Sequence, residues 1–184
     1  MNMFIKGGAL MPKIIDGLKE KILLAARNRL LSGEASELSL RGVASDCGIA
    51  VGTIYNYYKD KENLIAAVMA EDWIAMLGRS REEILKAESF ESGLLSVYKA
   101  VRDFSRMYEG IWQSYPTGSG FGSHYRARHG MLLDQIRGEI SLLTAQLGVE
   151  ISESRRTLLA ELIIAASQHP EISEEELLGF ISKS

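Results

Sequence analysis

Apolar residues recur at three- and four-residue steps along almost the whole chain, with polar or charged residues between them. Such spacing marks one face of an α-helix. Ile15, Leu18, Ile22, Leu23, Ala26 and Leu30 predict a first helix that ends near Leu31, with Ser32-Gly33-Glu34 as its exit. Pro12 suits its first turn, where a missing amide is not needed. Leu40, Val43, Ala44 and Cys47 form a second, shorter stripe. Ser39 can cap that helix, and Gly48 follows it where a left-handed stop is favoured. Ile49 is apolar within the turn and should point inward. A third short helix, Val51 to Tyr58, turns Ile54 toward the second. Asp60 can cap the next helix. Leu64, Ile65, Val68, Met69, Trp73, Met76 and Leu77 then carry it toward about Ala87, with Gly78 as a weak point.

The rest of the chain keeps the same period. Leu94, Tyr98, Val101, Phe104, Tyr108, Ile111 and Trp112 predict a helix from about Phe90 to Tyr115. Pro116 to Gly122 reads as a loop. His129, Leu132, Leu133, Ile136, Ile140, Leu143 and Leu147 mark a helix from about Ser123 to Leu147, stopped by Gly148. Ser152 can cap another, with Leu158, Leu159, Leu162, Ile163 and Ala166 inside and His169-Pro170 as its break. Ser173-Glu174-Glu175-Glu176 has the spacing of a capping box and starts a last helix with Leu177, Leu178, Phe180 and Ile181. No stretch alternates as a strand does, so the expected fold class is all-α.

Composition adds bounds. The 184 residues are 46 % hydrophobic and 24 % charged, an ordinary globular balance. No apolar run approaches the roughly 18 residues of a membrane helix, and Met1 to Leu10 lack the apolar core of a secretory signal. The single cysteine, Cys47, excludes an internal disulfide and fits a reducing cytoplasm. Net charge is −3, unevenly shared: residues 1–61 hold nine Lys or Arg against six Asp or Glu, and residues 62–184 hold twelve against eighteen. A basic head on an acidic body suits a DNA-binding module joined to a regulatory one.

The segment from Leu38 to Leu64 carries the chemistry. A helix-turn-helix needs a small residue where its helices cross, a glycine in the turn and an apolar residue inside the second helix. Ala44, Gly48 and Ile54 stand there. The continuation Tyr55-Asn56-Tyr57-Tyr58-Lys59-Asp60-Lys61-Glu62-Asn63-Leu64 is more specific. With Val43-Ala44, Cys47-Gly48-Ile49-Ala50 and Gly52, it resembles the DNA-binding domain of the TetR family of bacterial transcriptional regulators. Ala50 departs from that family's frequent serine, which removes one hydroxyl from the phosphate-facing surface. Tyr58 replaces an inward-facing phenylalanine and is expected in the core.

The resemblance implies a three-helix helix-turn-helix head over residues 12–60, preceded by a flexible arm at 1–11. A larger helical ligand-binding and dimerisation body would fill 61–184. It implies that Tyr55, Tyr57 and Lys61 contact phosphates. Gly52, Thr53 and Asn56 would lie on or beside the recognition helix, and Ser39 and Arg41 would begin the supporting helix. The Ser39 hydroxyl can serve as a helix cap or as a phosphate donor. Lys13, Lys19 and Lys21 can reach phosphate or simply be solvated. In the body, Trp73, Tyr98, Phe104, Tyr108, Trp112 and Tyr125 either build a core or line an effector pocket, with Arg102 and His124 able to orient a polar group. Leu162, Ala165, Ala166, Leu177, Leu178 and Ile181 are candidates for a homodimer contact, or they close the monomer core.

The function implied is a cytoplasmic, sequence-specific DNA-binding regulator, a repressor released from a palindromic operator by a small-molecule effector. The alternative is a helical interaction or DNA-organising protein that uses the same head without effector control. No cofactor, metal site or membrane partner is expected. An enzyme is not expected either: His124 and His129 do not share a helical face, and no His, Cys and carboxylate cluster has ligand spacing. Gly118-Ser119-Gly120-Phe121-Gly122 lacks the Lys-Ser/Thr of a phosphate loop.

Overall fold

A computed structural model describes residues 17–32, 38–114 and 121–182, leaving aside the side chains of 112–114 and 121–129. Expectations about residues 1–11, Pro12, Lys13 and Ile15 lie outside those residues. Every regular element among them is a helix. The chain divides into two compact units, Met1–Val68 and Met69–Ser184. The division falls later than the expected 60/61 boundary, so the first turns of the long fourth helix group with the head.

The first unit holds α1 (Leu18–Leu31), α2 (Leu40–Cys47), α3 (Val51–Tyr55) and the start of α4 (Lys61–Ile84). Leu18, Ile22, Leu23, Ala26 and Leu30 of α1 are buried, as are Leu40, Val43, Ala44 and Cys47 of α2. The Ser39 hydroxyl accepts the Gly42 amide at 3.1 Å and caps α2. Gly48 ends α2 at φ 65°, where a side chain would be strained. Its amide and that of Ile49 return to Ser45 O and Ala44 O at 3.0 Å. Ile49 is half-buried, and Ile54 fully so.

α3 is shorter than the expected Val51 to Tyr58. The Ile54 carbonyl takes the amides of both Tyr57 and Tyr58 at 2.9 Å, which closes the helix in a tight turn. The Asp60 carboxylate then accepts the Asn63 amide at 2.7 Å as α4 begins.

The second unit holds the rest of α4, then α5 (Phe90–Met107), α6 (Glu109–Ser114), α7 (Phe121–Leu147), α8 (Glu153–Ser167) and α9 (Glu174–Ile181). α5 is central and packs on α7, α8 and α9. Leu94, Val97, Tyr98 and Val101 meet a core that includes Ile136, Ile140, Leu143, Leu159, Ala160, Ile163, Leu177 and Ile181, all buried. Ser89 and Ser173 form capping boxes on α5 and α9, and Ser152 caps α8. Gly148 stops α7 at φ 66°.

Several boundaries differ from expectation. α4 stops at Ile84 and closes in a tight turn, with Lys86 N on Glu83 O and Ala87 N on Ile84 O, both 3.1 Å. The helix expected to run from Phe90 to Tyr115 breaks at Tyr108, whose hydroxyl donates to Asp72 of α4. α7 begins at Phe121, inside the stretch expected as loop. Leu158, expected inside α8, is 69 % exposed. The inward face of α8 follows Leu159, Ala160, Ile163 and Ala166, and Leu158 lies a third of a turn away.

Within the second unit, side chains bridge α4 and its exit to α7 in three places. Trp73 Nε1 donates to Gln135, Arg81 Nε donates to Glu139 at 2.7 Å, and Gln146 donates to the Ala87 carbonyl at 3.3 Å. Glu139 is fully buried, and its second oxygen has no hydrogen-bond partner among the described residues. Burial pushes its carboxyl above the usual carboxylate range against the opposing pull of Arg81.

Candidate DNA-binding site

Three pieces of the first unit present the sequence-predicted DNA contacts. Gly52, Thr53 and Tyr55 stand on α3. Gly52 has open space around it, Thr53 is half-buried, and Tyr55 is 55 % exposed. Asn56 caps the end of α3 and is exposed, and Tyr57 is half-buried in the turn after it. Lys61, half-buried, opens α4. Ser39 and Arg41 stand at the far end of the motif, at the start of α2, both exposed. Ser39 acts as the cap, which uses an acceptor lone pair and leaves its hydroxyl proton free to donate elsewhere. Tyr58 is buried as expected, with its ring centroid 6.5 Å from that of Tyr57. Anchoring the Tyr58 ring restricts the backbone beside Tyr57 and so limits where that hydroxyl can reach.

α3 is five residues long and has no side-chain cap. So short a helix has little stability of its own, and its position depends on what it leans on. Inside, it leans on Ile54. At its front only Gly48, Ile49 and Ala50 separate it from the end of α2.

That end of α2 is held by two α1 side chains whose roles the sequence did not reveal. Arg29 forks onto Asp46, with Nε 2.5 Å from Oδ2 and Nη2 2.9 Å from Oδ1. The guanidinium holds the Asp46 carboxyl below the usual carboxylate range. Lys21 donates from Nζ to the Cys47 carbonyl at 2.9 Å, so one of the lysines considered for phosphate instead satisfies a helix end. Lys19 is exposed. Cys47 is buried, its Sγ lies 3.7 Å from the Lys21 carbonyl, and burial pushes its thiol up. Gly42 makes room for this arrangement: a Cβ there would lie 3.0 Å from Arg29 Nη1 and 3.1 Å from its Cζ. Arg29 and Asp46 are seventeen positions apart and lie on different helices, so no local periodicity could pair them.

The body residues considered for an effector pocket divide. Trp73, Tyr98, Phe104 and Tyr108 are buried against neighbours. Trp73 and Phe104 meet edge to face at 5.1 Å, and Phe104 and Tyr108 also lie 5.1 Å apart. Arg102 lies 5.0 Å over the Tyr98 ring and donates to Glu174 at 2.6 Å, tying α5 to α9. These five therefore do structural work in this state. The side chains of Trp112, His124 and Tyr125 are outside the described set. Of the residues considered for dimerisation, Ala166, Leu177 and Ile181 are buried within their own unit, where they close its core. Leu162 and Leu178 are half-buried and Ala165 is exposed. Phe180, beside them in sequence, is 62 % exposed. Among the described residues, no group of three or more His, Cys, Asp or Glu is placed to hold a metal ion, and no helix is long and apolar enough to cross a membrane.

The first unit is thus a helix-turn-helix domain, on a chain whose described residues are otherwise helical. Residues 22–68 match the family model described as bacterial regulatory proteins, tetR family. Over that segment the chain is similar to the TetR family. The HTH-type transcriptional regulator UidR of Escherichia coli K12 is 33 % identical over 66 residues, which are 36 % of this chain and 34 % of UidR. The chain spans less than half the length of the curated relatives it matches. A solved structure of the transcriptional regulator SCO7518 from Streptomyces coelicolor A3(2) shares the fold. Its TM-score is 0.67 at 15 % identity, over 91 % of this chain and 97 % of the other. So does FadR from Bacillus subtilis in complex with stearoyl-CoA, with TM-score 0.57 at 15 % identity, over 89 % and 94 % of the two chains.

Proposed function

We propose that this protein is a cytoplasmic, sequence-specific DNA-binding transcriptional regulator, a repressor that leaves its operator when a small molecule binds the body. One observation carries the reading. A helix-turn-helix matching the tetR family model presents Tyr55, Asn56, Tyr57 and Lys61 between the end of α3 and the start of α4, the side-chain types that anchor such a helix on phosphates. Gly52 and Thr53, nearer the front of α3, are suited to close approach to the groove. Ser39 and Arg41 would meet the backbone at the start of α2.

Two copies related by a two-fold axis would read a palindromic operator. Leu162, Ala165 and Leu178, with the more exposed Leu158 and Phe180, are apolar α8 and α9 side chains that such a contact would cover. The FadR structure is an instance of this fold holding a ligand. In this chain the aromatic set Trp73, Phe104 and Tyr108, with Trp112, His124 and Tyr125, is the proposed effector region. Release requires the effector to favour a body conformation in which the heads no longer match both half-sites.

The test is a gel shift with duplexes covering the DNA beside the protein's own gene. A shifted palindrome supports the proposal. Failure to shift any duplex, including one sought by selection from a random-sequence pool, refutes it.

A further inference from the structure

We propose that Arg29 is a positioning residue for DNA reading: its fork on Asp46, with Lys21 on the Cys47 carbonyl, fixes where α2 ends and therefore where the recognition helix begins. This rests on the proposed DNA-binding function of the first unit.

The geometry supports a clamp rather than a phosphate contact. Both guanidinium–carboxylate bonds join α1 to the penultimate residue of α2, and the Lys21 bond joins α1 to the last residue. A bidentate fork restricts orientation as well as distance. Two bonds to consecutive residues from lysine and arginine two helical turns apart resist both rotation and sliding of the α2 end. From there only Gly48, Ile49 and Ala50 precede α3. The start of that linker is itself fixed, because the Gly48 and Ile49 amides bond back to Ser45 and Ala44. Moving the α2 end would therefore move the front of α3. α3, at five residues, has neither the length nor an N-terminal side-chain cap with which to resist. An Arg29 charge already matched by Asp46 displaces few DNA counterions, so its loss should weaken binding without changing the salt dependence.

The experiment uses the full chain and a duplex that the wild type selects from a random-sequence pool. Affinity is measured across a salt series for the wild type, Arg29→Met, Asp46→Asn and the exchange Arg29→Asp/Asp46→Arg, each checked for folding by circular dichroism. Concentrations are corrected for the folded fraction. Arg29→Met and Asp46→Asn should each weaken binding on the order of tenfold, and the exchange should recover much of that loss. The slope of log affinity against log salt should stay at the wild-type value throughout. Arg29→Lys, which keeps charge but loses the fork, supplies the comparison if Arg29→Met unfolds: weakened binding at unchanged slope supports the clamp. A slope reduced by about one in Arg29→Met would make Arg29 a phosphate contact and overturn the proposal. Unchanged affinity in both single variants would also overturn it. Selection of no duplex by the wild type would instead sink the DNA-binding function itself, and the clamp with it.

Discussion

Gly93→Ala would place a methyl group in space that Leu143 already fills. A Cβ at Gly93 would lie 2.2 Å from Leu143 Cδ1, 2.7 Å from Cδ2 and 3.0 Å from Cγ. Carbon atoms in contact prefer about 3.5–4.0 Å, so the whole branched end of Leu143 must retreat by more than an ångström. Leu143 has no solvent to retreat into, being fully buried between α5 and α7. Overpacking of this kind costs about 1–3 kcal/mol, and the severity of the overlap favours the upper half. Alanine recovers up to about 1 kcal/mol of helix propensity over glycine. The net expectation is a loss of about 1–2 kcal/mol, which for a chain of this size lowers Tm by roughly 2–8 °C. Both tryptophans, Trp73 and Trp112, lie in the second unit, so tryptophan fluorescence during heating reports on the right body. Leu143→Ala alone should cost about 2–5 kcal/mol by opening a cavity. Combined with Gly93→Ala it should cost less than the sum by at least about 1 kcal/mol, since the new methyl then enters vacated space. A Tm for Gly93→Ala within a degree of wild type, or strict additivity in the double variant, would refute the packing argument.

Other outcomes follow from the same geometry. Lys61→Ala should weaken operator binding and lower the salt slope by about one unit, and a titration across salt concentrations checks it. Gly48→Ala forces a side chain into left-handed backbone and should destabilise the first unit by about 1 kcal/mol, read by urea denaturation. Ser173→Ala removes one half of the α9 capping box and should cost about 1 kcal/mol in thermal denaturation of the second unit. Glu139 holds its proton to higher pH in the folded chain than in the unfolded one. Its contribution is therefore fullest below the ordinary carboxylate value and is lost as pH rises through the folded value. Glu139→Gln cannot titrate, so its Tm relative to wild type should climb from acid to alkaline pH. A constant or falling difference would count against the buried-acid account.

Much of the fold could be read from local pattern. Ser39, Ser89, Ser152 and Ser173 all cap helices, because capping depends on a side chain and an amide within three residues of each other. Ser89 lacks the usual sequence signature, since its partner at the third position is Ser92 rather than an acid or amide. The α1 and α2 stripes are buried as their spacing predicts. Where periodicity failed, a longer-range contact intervened. Tyr108 keeps helical spacing with Phe104, yet the helix breaks there and its hydroxyl is bound to Asp72 on another helix. Leu158 is as apolar as Leu159, and only the packing direction of α8 separates them. In the candidate site, the residues proposed to face DNA come from motif spacing alone. The Arg29–Asp46 fork was not legible, because an ion pair across two helices leaves no periodic trace. Nor was the burial of Ala166, Leu177 and Ile181 within their own unit, since an apolar face is written the same way whether a neighbouring helix or a second copy covers it.

The sole thiol of the chain lies under α1, 3 % exposed and poorly ionised. A thiol reagent can reach it only when α2 lifts away. Its labelling rate in excess reagent is thus a clock for local opening of the head, readable without introducing any probe. A duplex that engages α2 and α3 should slow that clock, and the factor by which it slows measures how much of the binding energy goes into holding the motif shut.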